Sequence, residues 1–126
     1  MGDDERYPRF SGARARSYSA RHLRQHQSRD VFEASFTMMN GWERRSIKME
    51  AGDEVQFRVE TRAESGSLCI ELQAPDGTTI VRWGDQPFVT TDYQADLPGK
   101  YGLRVTAEQA AGSYRVELGP TAPAGG

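Results

Sequence analysis

Cysteine is nearly absent. Cys69 is the one thiol in 126 residues, so no disulfide can form within the chain. A lone thiol is more usual in reducing compartments, although it does not exclude an envelope protein. Histidine is almost as scarce, with His22 and His26 alone. Their spacing of four would align them on a helix, yet two ligands do not close a metal site and no Cys or carboxylate stands at a useful distance. No Ser-His-Asp constellation, glycine-rich phosphate loop, metal motif or paired-carboxylate motif is visible, so neither an enzyme nor a cofactor is expected. No apolar run approaches the ~18 residues of a membrane helix, and the mean hydropathy of −0.72 reads as a soluble chain. The acidic start Met1-Gly-Asp-Asp-Glu5 lacks the basic and apolar regions of a signal peptide. The chain is therefore read either as cytosolic or as one whose leader has been removed. Helix-period patterning is missing from residue 31 onward, which argues against a parallel βαβ fold.

What is present is uneven in charge. The overall balance is −2. The first thirty residues hold seven arginines (6, 9, 14, 16, 21, 24, 29) against four acids, a net +3. The rest holds nine Lys/Arg against fourteen Asp/Glu, a net −5. Residues 1–30 contain Leu23 as their sole Leu, Ile or Val, too little apolar surface to offset ordering entropy. They are expected to be a flexible basic arm or linker, with a short helix over Ala13–Gln27 as the alternative. Residues 119–126 form a Pro/Gly/Ala tail, expected to be disordered.

Residues 31–118 alternate with period two. Phe32, Ala34, Phe36 and Met38 face one way, followed by Ile47 and Met49, then Val55, Phe57 and Val59, then Leu68, Ile70 and Leu72. Thr79–Trp83 and Phe88–Ala95 follow, then Tyr101, Leu103 and Val105, and finally Tyr114, Val116 and Leu118. Turn signals separate them at Asn40-Gly41, Gly52-Asp53, Glu64-Ser-Gly66, Pro75-Asp-Gly77, Pro98-Gly99 and Gln109–Gly112. About eight short strands at this spacing predict an all-β domain, a two-sheet antiparallel β-sandwich of jelly-roll type. The two Gly-x-Tyr segments at Gly99 and Gly112 are expected to form a closing hairpin. Tyr114–Leu118 is expected at a sheet edge, with Arg115 and Glu117 as charged guards.

Several side chains could carry function. Trp83, flanked by Arg82 and Asp85, is the favoured ligand-binding candidate, with Trp42 and Tyr93 beside it, because aromatic faces on a sandwich can stack on sugars. The competing reading is rim or core packing with the indole N–H satisfied. Asp53, Asp76, Asp85, Asp92 and Asp96 lie in or near loops and could gather a Ca²⁺ ion, but turn chemistry explains them better. Cys69 has no basic partner in sequence and reads as structural. The arginine-rich arm with Tyr7, Phe10 and Tyr18 could meet anionic membrane or nucleic acid, although the pI of 5.7 makes nucleic acid unfavoured.

The runs Gly52-Asp-Glu-Val-Gln-Phe, Ser65-Gly-Ser-Leu-Cys-Ile-Glu-Leu-Gln-Ala-Pro-Asp-Gly77, Leu97-Pro-Gly-Lys-Tyr-Gly-Leu-Arg-Val and Gly112-Ser-Tyr-Arg-Val resemble small bacterial envelope β-sandwiches. They are similar to the pre-peptidase C-terminal domains of secreted hydrolases and to short Gram-positive lipoproteins. The resemblance implies an extracytoplasmic, non-catalytic module. The chain is expected to be a monomeric accessory or adhesion-type domain whose partner is a cell-wall polysaccharide or a protein. The alternatives are a purely structural domain, or a cytosolic interaction protein that works through its arm.

Overall fold

A computed structural model describes residues 7–84 and 87–121, the side chains of 12–14 excepted. Its regular elements are β1 (Phe10–Arg21), β2 (Arg24–Gln27), β3 (Val31–Met49), β4 (Glu54–Gln73), β5 (Thr79–Trp83), β6 (Phe88–Gln94) and β7 (Gly99–Gly119). All pairings are antiparallel, along the path β1-β3-β7-β4-β5, with β2 also on β3 and β6 also on β4.

Three strands are far longer than the sequence pattern suggests. The registers divide each of β3, β4 and β7 into two halves. The first sheet consists of β2, 31–36 of β3, 112–119 of β7, 54–63 of β4, and β6. The second consists of β1, 39–49 of β3, 99–110 of β7, 65–73 of β4, and β5. Ring contacts cross between them: Phe10 meets Phe32 at 6.0 Å, Phe57 meets Trp83 at 5.4 Å, and Tyr93 meets Tyr101 at 6.0 Å. The fold is thus an antiparallel sandwich made by folding one hydrogen-bonded ladder over itself.

Three of the expected turns are in fact bends inside strands. Asn40-Gly41, Glu64–Gly66 and Gln109–Gly112 mark where β3, β4 and β7 leave one sheet for the other, and the first two coincide with register shifts. One extra residue in a ladder flips every later side chain to the opposite face. The core therefore changes phase: Phe32, Ala34 and Phe36 point inward, then Met39, Ile47 and Met49. Met38, expected inside, is displaced by Met39 for this reason. The same switch separates Val59 from Leu68 and Ala107 from Ala110. The two Gly-x-Tyr segments are accordingly the two halves of β7, not a hairpin.

Two further expectations are corrected. From Phe10 onward the basic segment is not a flexible arm, and no helix forms over 13–27; β1 and β2 pair along the two halves of β3. Phe10 is 3 % exposed, and burying a ring of that size favours the fold by about 2 kcal/mol. Composition concealed this because the ordering comes from β3, whose backbone groups would otherwise lack partners. Tyr114–Leu118 is not an edge either, since β7 lies between β3 and β4 throughout. Arg115 instead forms ion pairs on the outer face with Glu117 (3.2 Å), Glu33 (3.5 Å) and Glu60 (3.7 Å).

A polar group lies within the sandwich. Glu43 is fully buried, and both its carboxylate oxygens accept from Gln25 Nε2, at 2.9 and 3.1 Å. This bond ties β2 of the first sheet to β3 of the second. The Arg45 guanidinium sits 5.0 and 5.2 Å from the rings of Phe10 and Phe32. Burial, and then the Glu43 carboxylate, hold the Tyr114 phenol well above its ordinary range.

The bends demand glycine where backbones meet. Gly66 and Gly112 have φ of 71° and 149°. A Cβ on Gly66 would strike the Gln109 and Glu108 carbonyls, and one on Gly112 the carbonyl of Arg62. Gly112→Ala is expected to destabilise the fold by about 3 kcal/mol, as measured by urea unfolding. Ala at Gly77, an open turn whose Cβ would meet nothing within 4 Å, is expected to cost less.

Candidate functional site

The outer face of the first sheet carries a trough. Cross-strand pairing sets out its rows: Arg24, Ser35, Ser113 and Arg62 in one, and His26, Glu33, Arg115, Glu60 and Phe88 in the next. Ser35 and Ser113 are small and lie on the two central strands, so the middle of the face sinks while the arginines on β2 and β4 stand as walls. The resulting hollow measures about 690 Å³. A second hollow of about 610 Å³ shares Arg24, Ser35, Arg62 and Ser113 with it and extends toward His22, Thr37 and Glu64. Together they follow the direction of β3 and β7.

The trough is mixed in polarity and balanced in charge. Arg24, Arg62 and Arg115 face Glu33, Glu60 and Glu64, and Arg115 is already held by three carboxylates. At one rim Phe88 is 58 % exposed, a large apolar ring with little packing role.

The residues expected to bind are scattered. Trp83 is 5 % exposed, lies against Phe57, and donates Nε1–H to Thr91 Oγ1 at 3.0 Å across the sheets. It is a core residue, and its position opposite Ile70 on the inner face of β5 explains why. Arg82 occupies the other side of the same strand, where it pairs with Glu71 (3.4 Å) and donates to Cys69 Sγ at 3.1 Å. Trp42 is partly exposed on the outer face of the second sheet, with the Arg104 guanidinium 4.9 Å from its ring. Tyr93 is partly buried against the core, edge-on to Tyr101. Burial, followed by the Tyr101 hydroxyl, pushes its pKa up to about 12. Asp85 lies outside the described residues.

The loop acids serve their turns where contacts are visible. Asp53 accepts from Glu50 N–H at 2.8 Å and Asp76 from Thr78 N–H at 2.9 Å. The Thr78 N–H, then its hydroxyl, holds Asp76 below its usual 3.8. Among the described residues no three His, Cys, Asp or Glu gather as metal ligands. His22 contacts Thr37 Oγ1 through Nδ1 at 2.8 Å, while His26 lies in the trough. The trough residues Arg62, Ser35 and Ser113 escaped sequence reasoning.

No protein-family model matches the chain, and no curated protein does, so the resemblance to pre-peptidase domains and lipoproteins finds no support there. Solved structures that align with it include the CBM1 of BiXyn10A (TM-score 0.48, 11 % identity, 94 % of this chain and 100 % of that one). A mutant of the family 29 carbohydrate-binding module CBM29-2, complexed with mannohexaose, aligns at 0.48, with 13 % identity over 89 % of this chain and 87 % of that one. The C-terminal family 22 module of Clostridium thermocellum Xyn10B aligns at 0.43, with 13 % identity over 99 % and 98 %.

Two measurements check this placement of aromatics. Trp42→Phe is expected to remove most acrylamide-quenchable fluorescence, and Trp83→Phe to leave it. In alkaline titration Tyr93 is expected to keep its proton until about pH 12. An unfolded phenol ionises near 10, so the unfolded state binds fewer protons between those values and stability falls as pH rises through that window. Urea midpoints recorded from pH 9 to 12 should decline accordingly, less so in Tyr93→Phe.

Proposed function

We propose that the chain is a non-catalytic binding module that holds an extended, neutral glycan along the trough of its first sheet. The observation that carries this is the trough itself: small serines on the floor, hydrogen-bonding side chains of both signs on the walls, and an exposed ring at the rim. Arg, Glu and Ser side chains offer donors and acceptors to hydroxyl groups in both directions. Phe88 offers an apolar face to a pyranose ring. The balance of charge disfavours a polyanion, whose binding rests on unneutralised cations. Placement on paired strands keeps the polar groups fixed before the ligand arrives, which limits the entropic cost of binding.

The test is calorimetric titration with a panel of soluble neutral oligosaccharides, including β-1,4-linked mannan, galactan and xylan fragments. At least one is expected to bind, and Arg62→Ala and Phe88→Ala are each expected to weaken that binding about tenfold. Arg82→Ala, on the other sheet, should leave it unchanged. Absence of binding across the panel, or binding indifferent to both trough variants, overturns the reading.

A further inference from the structure

We propose that the outer face of the second sheet is a separate site for a carboxylate-bearing polysaccharide. The site lies on the opposite sheet from the trough and does not rest on the reading given for it. Register places Arg44 directly opposite Arg104 and Lys48 directly opposite Lys100, on the central strands β3 and β7. Like charges opposed in an antiparallel pair are destabilising, and here two such pairs share one face of an acidic chain. Relief comes without neutralisation. The Arg44 guanidinium lies flat over Gly102, where any Cβ would collide with it, and Nε donates to Gln73 Oε1 at 3.4 Å. The Arg104 guanidinium lies instead beside the Trp42 ring, at 4.9 Å. An amide and an indole hold the two groups, and neither cancels charge. Among the described residues none of the four cations has a carboxylate within 4 Å, while the neighbouring Glu71 is engaged by Arg82.

Register also sets Glu71 opposite Arg104, but that carboxylate turns to Arg82. The face thus holds two guanidinium groups in place beside two exposed lysines, with no carboxylate of the described residues within 4 Å, which is what an incoming oxyanion requires. Positions 44 and 48 stand about 13 Å apart along the strand, so the two cation pairs can meet carboxylates on separate rings of one chain. Between the two pairs lie the buried Ser46 and Gly102, covered by the Arg44 guanidinium, and the partly exposed Trp42 ring borders the face as a surface on which a sugar ring can stack. A hollow of about 620 Å³ adjoins Arg104, bounded by Thr106, Cys69 and Arg82 and also by the acids Glu71 and Glu108.

Calorimetric titration with polygalacturonate oligomers tests this, using the full chain and an Arg62→Ala/Phe88→Ala chain whose trough is disabled. Binding is expected in both, weakening as salt rises. The Arg44→Gln/Arg104→Gln variant is expected to bind at least about tenfold more weakly, with a melting temperature close to that of the parent. Should that variant fail to fold, Lys48→Gln/Lys100→Gln, at exposed positions, is expected to lower affinity severalfold. The proposal is overturned if polygalacturonate does not bind, or if the cation variants bind it as the parent does. Loss of binding in the trough-disabled chain alone also overturns it, and leaves the trough as the site. Tighter binding of oligo-dT or of phosphatidylglycerol vesicles than of polygalacturonate overturns it as well.

Discussion

Everything in this fold depends on three strands that do not stop. Because β3, β7 and β4 each run from one sheet into the other, the hydrogen-bonded ladder is continuous around the bend and the sandwich has a spine of backbone bonds on one side. The opposite sides, where β1 with β2 and β5 with β6 lie over each other, have no such spine. They are joined by side chains: Gln25 to Glu43 on one side, and Trp83 to Thr91 on the other. A buried carboxylate is costly unless its hydrogen bonds are made. Glu43 therefore makes a mismatched approach of β2 unfavourable, whereas apolar contact alone would tolerate it.

The bends also shape the two faces. In each long strand the inward set changes from even to odd numbers or the reverse, so the outward set changes with it. The trough takes 33, 35 and 113, 115 from one side of the switch, and the cationic face takes 42, 44 and 104, 106 from the other. Two chemically different surfaces, one balanced and one positive, are thus drawn from the same pair of strands.

Alternation of period two made the core and the antiparallel class legible in the sequence, because Val55, Phe57, Leu72 and Val116 each sit between charged or polar neighbours. Turn chemistry misled at Asn40-Gly41, Gly66 and Gly112, because a residue that accepts positive φ serves a bulge as well as it serves a turn. Phe10 and Gln25 were hidden among arginines, since an edge strand paired along a long neighbour needs few apolar residues of its own. Trp83 shows the limit for sites. Its neighbours Arg82 and Gly84 suggested exposure, but only the pairing of Ile70 with Trp83 fixes which way the indole turns. The trough is invisible in the sequence because its parts come from five strands, and its depth comes from the smallness of Ser35 and Ser113.

The placement of β7 has a consequence for how the molecule is made. It is central in both sheets, yet it comes after the six other described strands in chain order. Until β7 is in place, β3 pairs only with β1 and β2, and β4 only with β5 and β6, with no backbone ladder between the two groups. The nascent chain can prepare two separate meanders but cannot assemble a core. Its apolar faces await a single late insertion, so the core closes only when the whole of β7 is available.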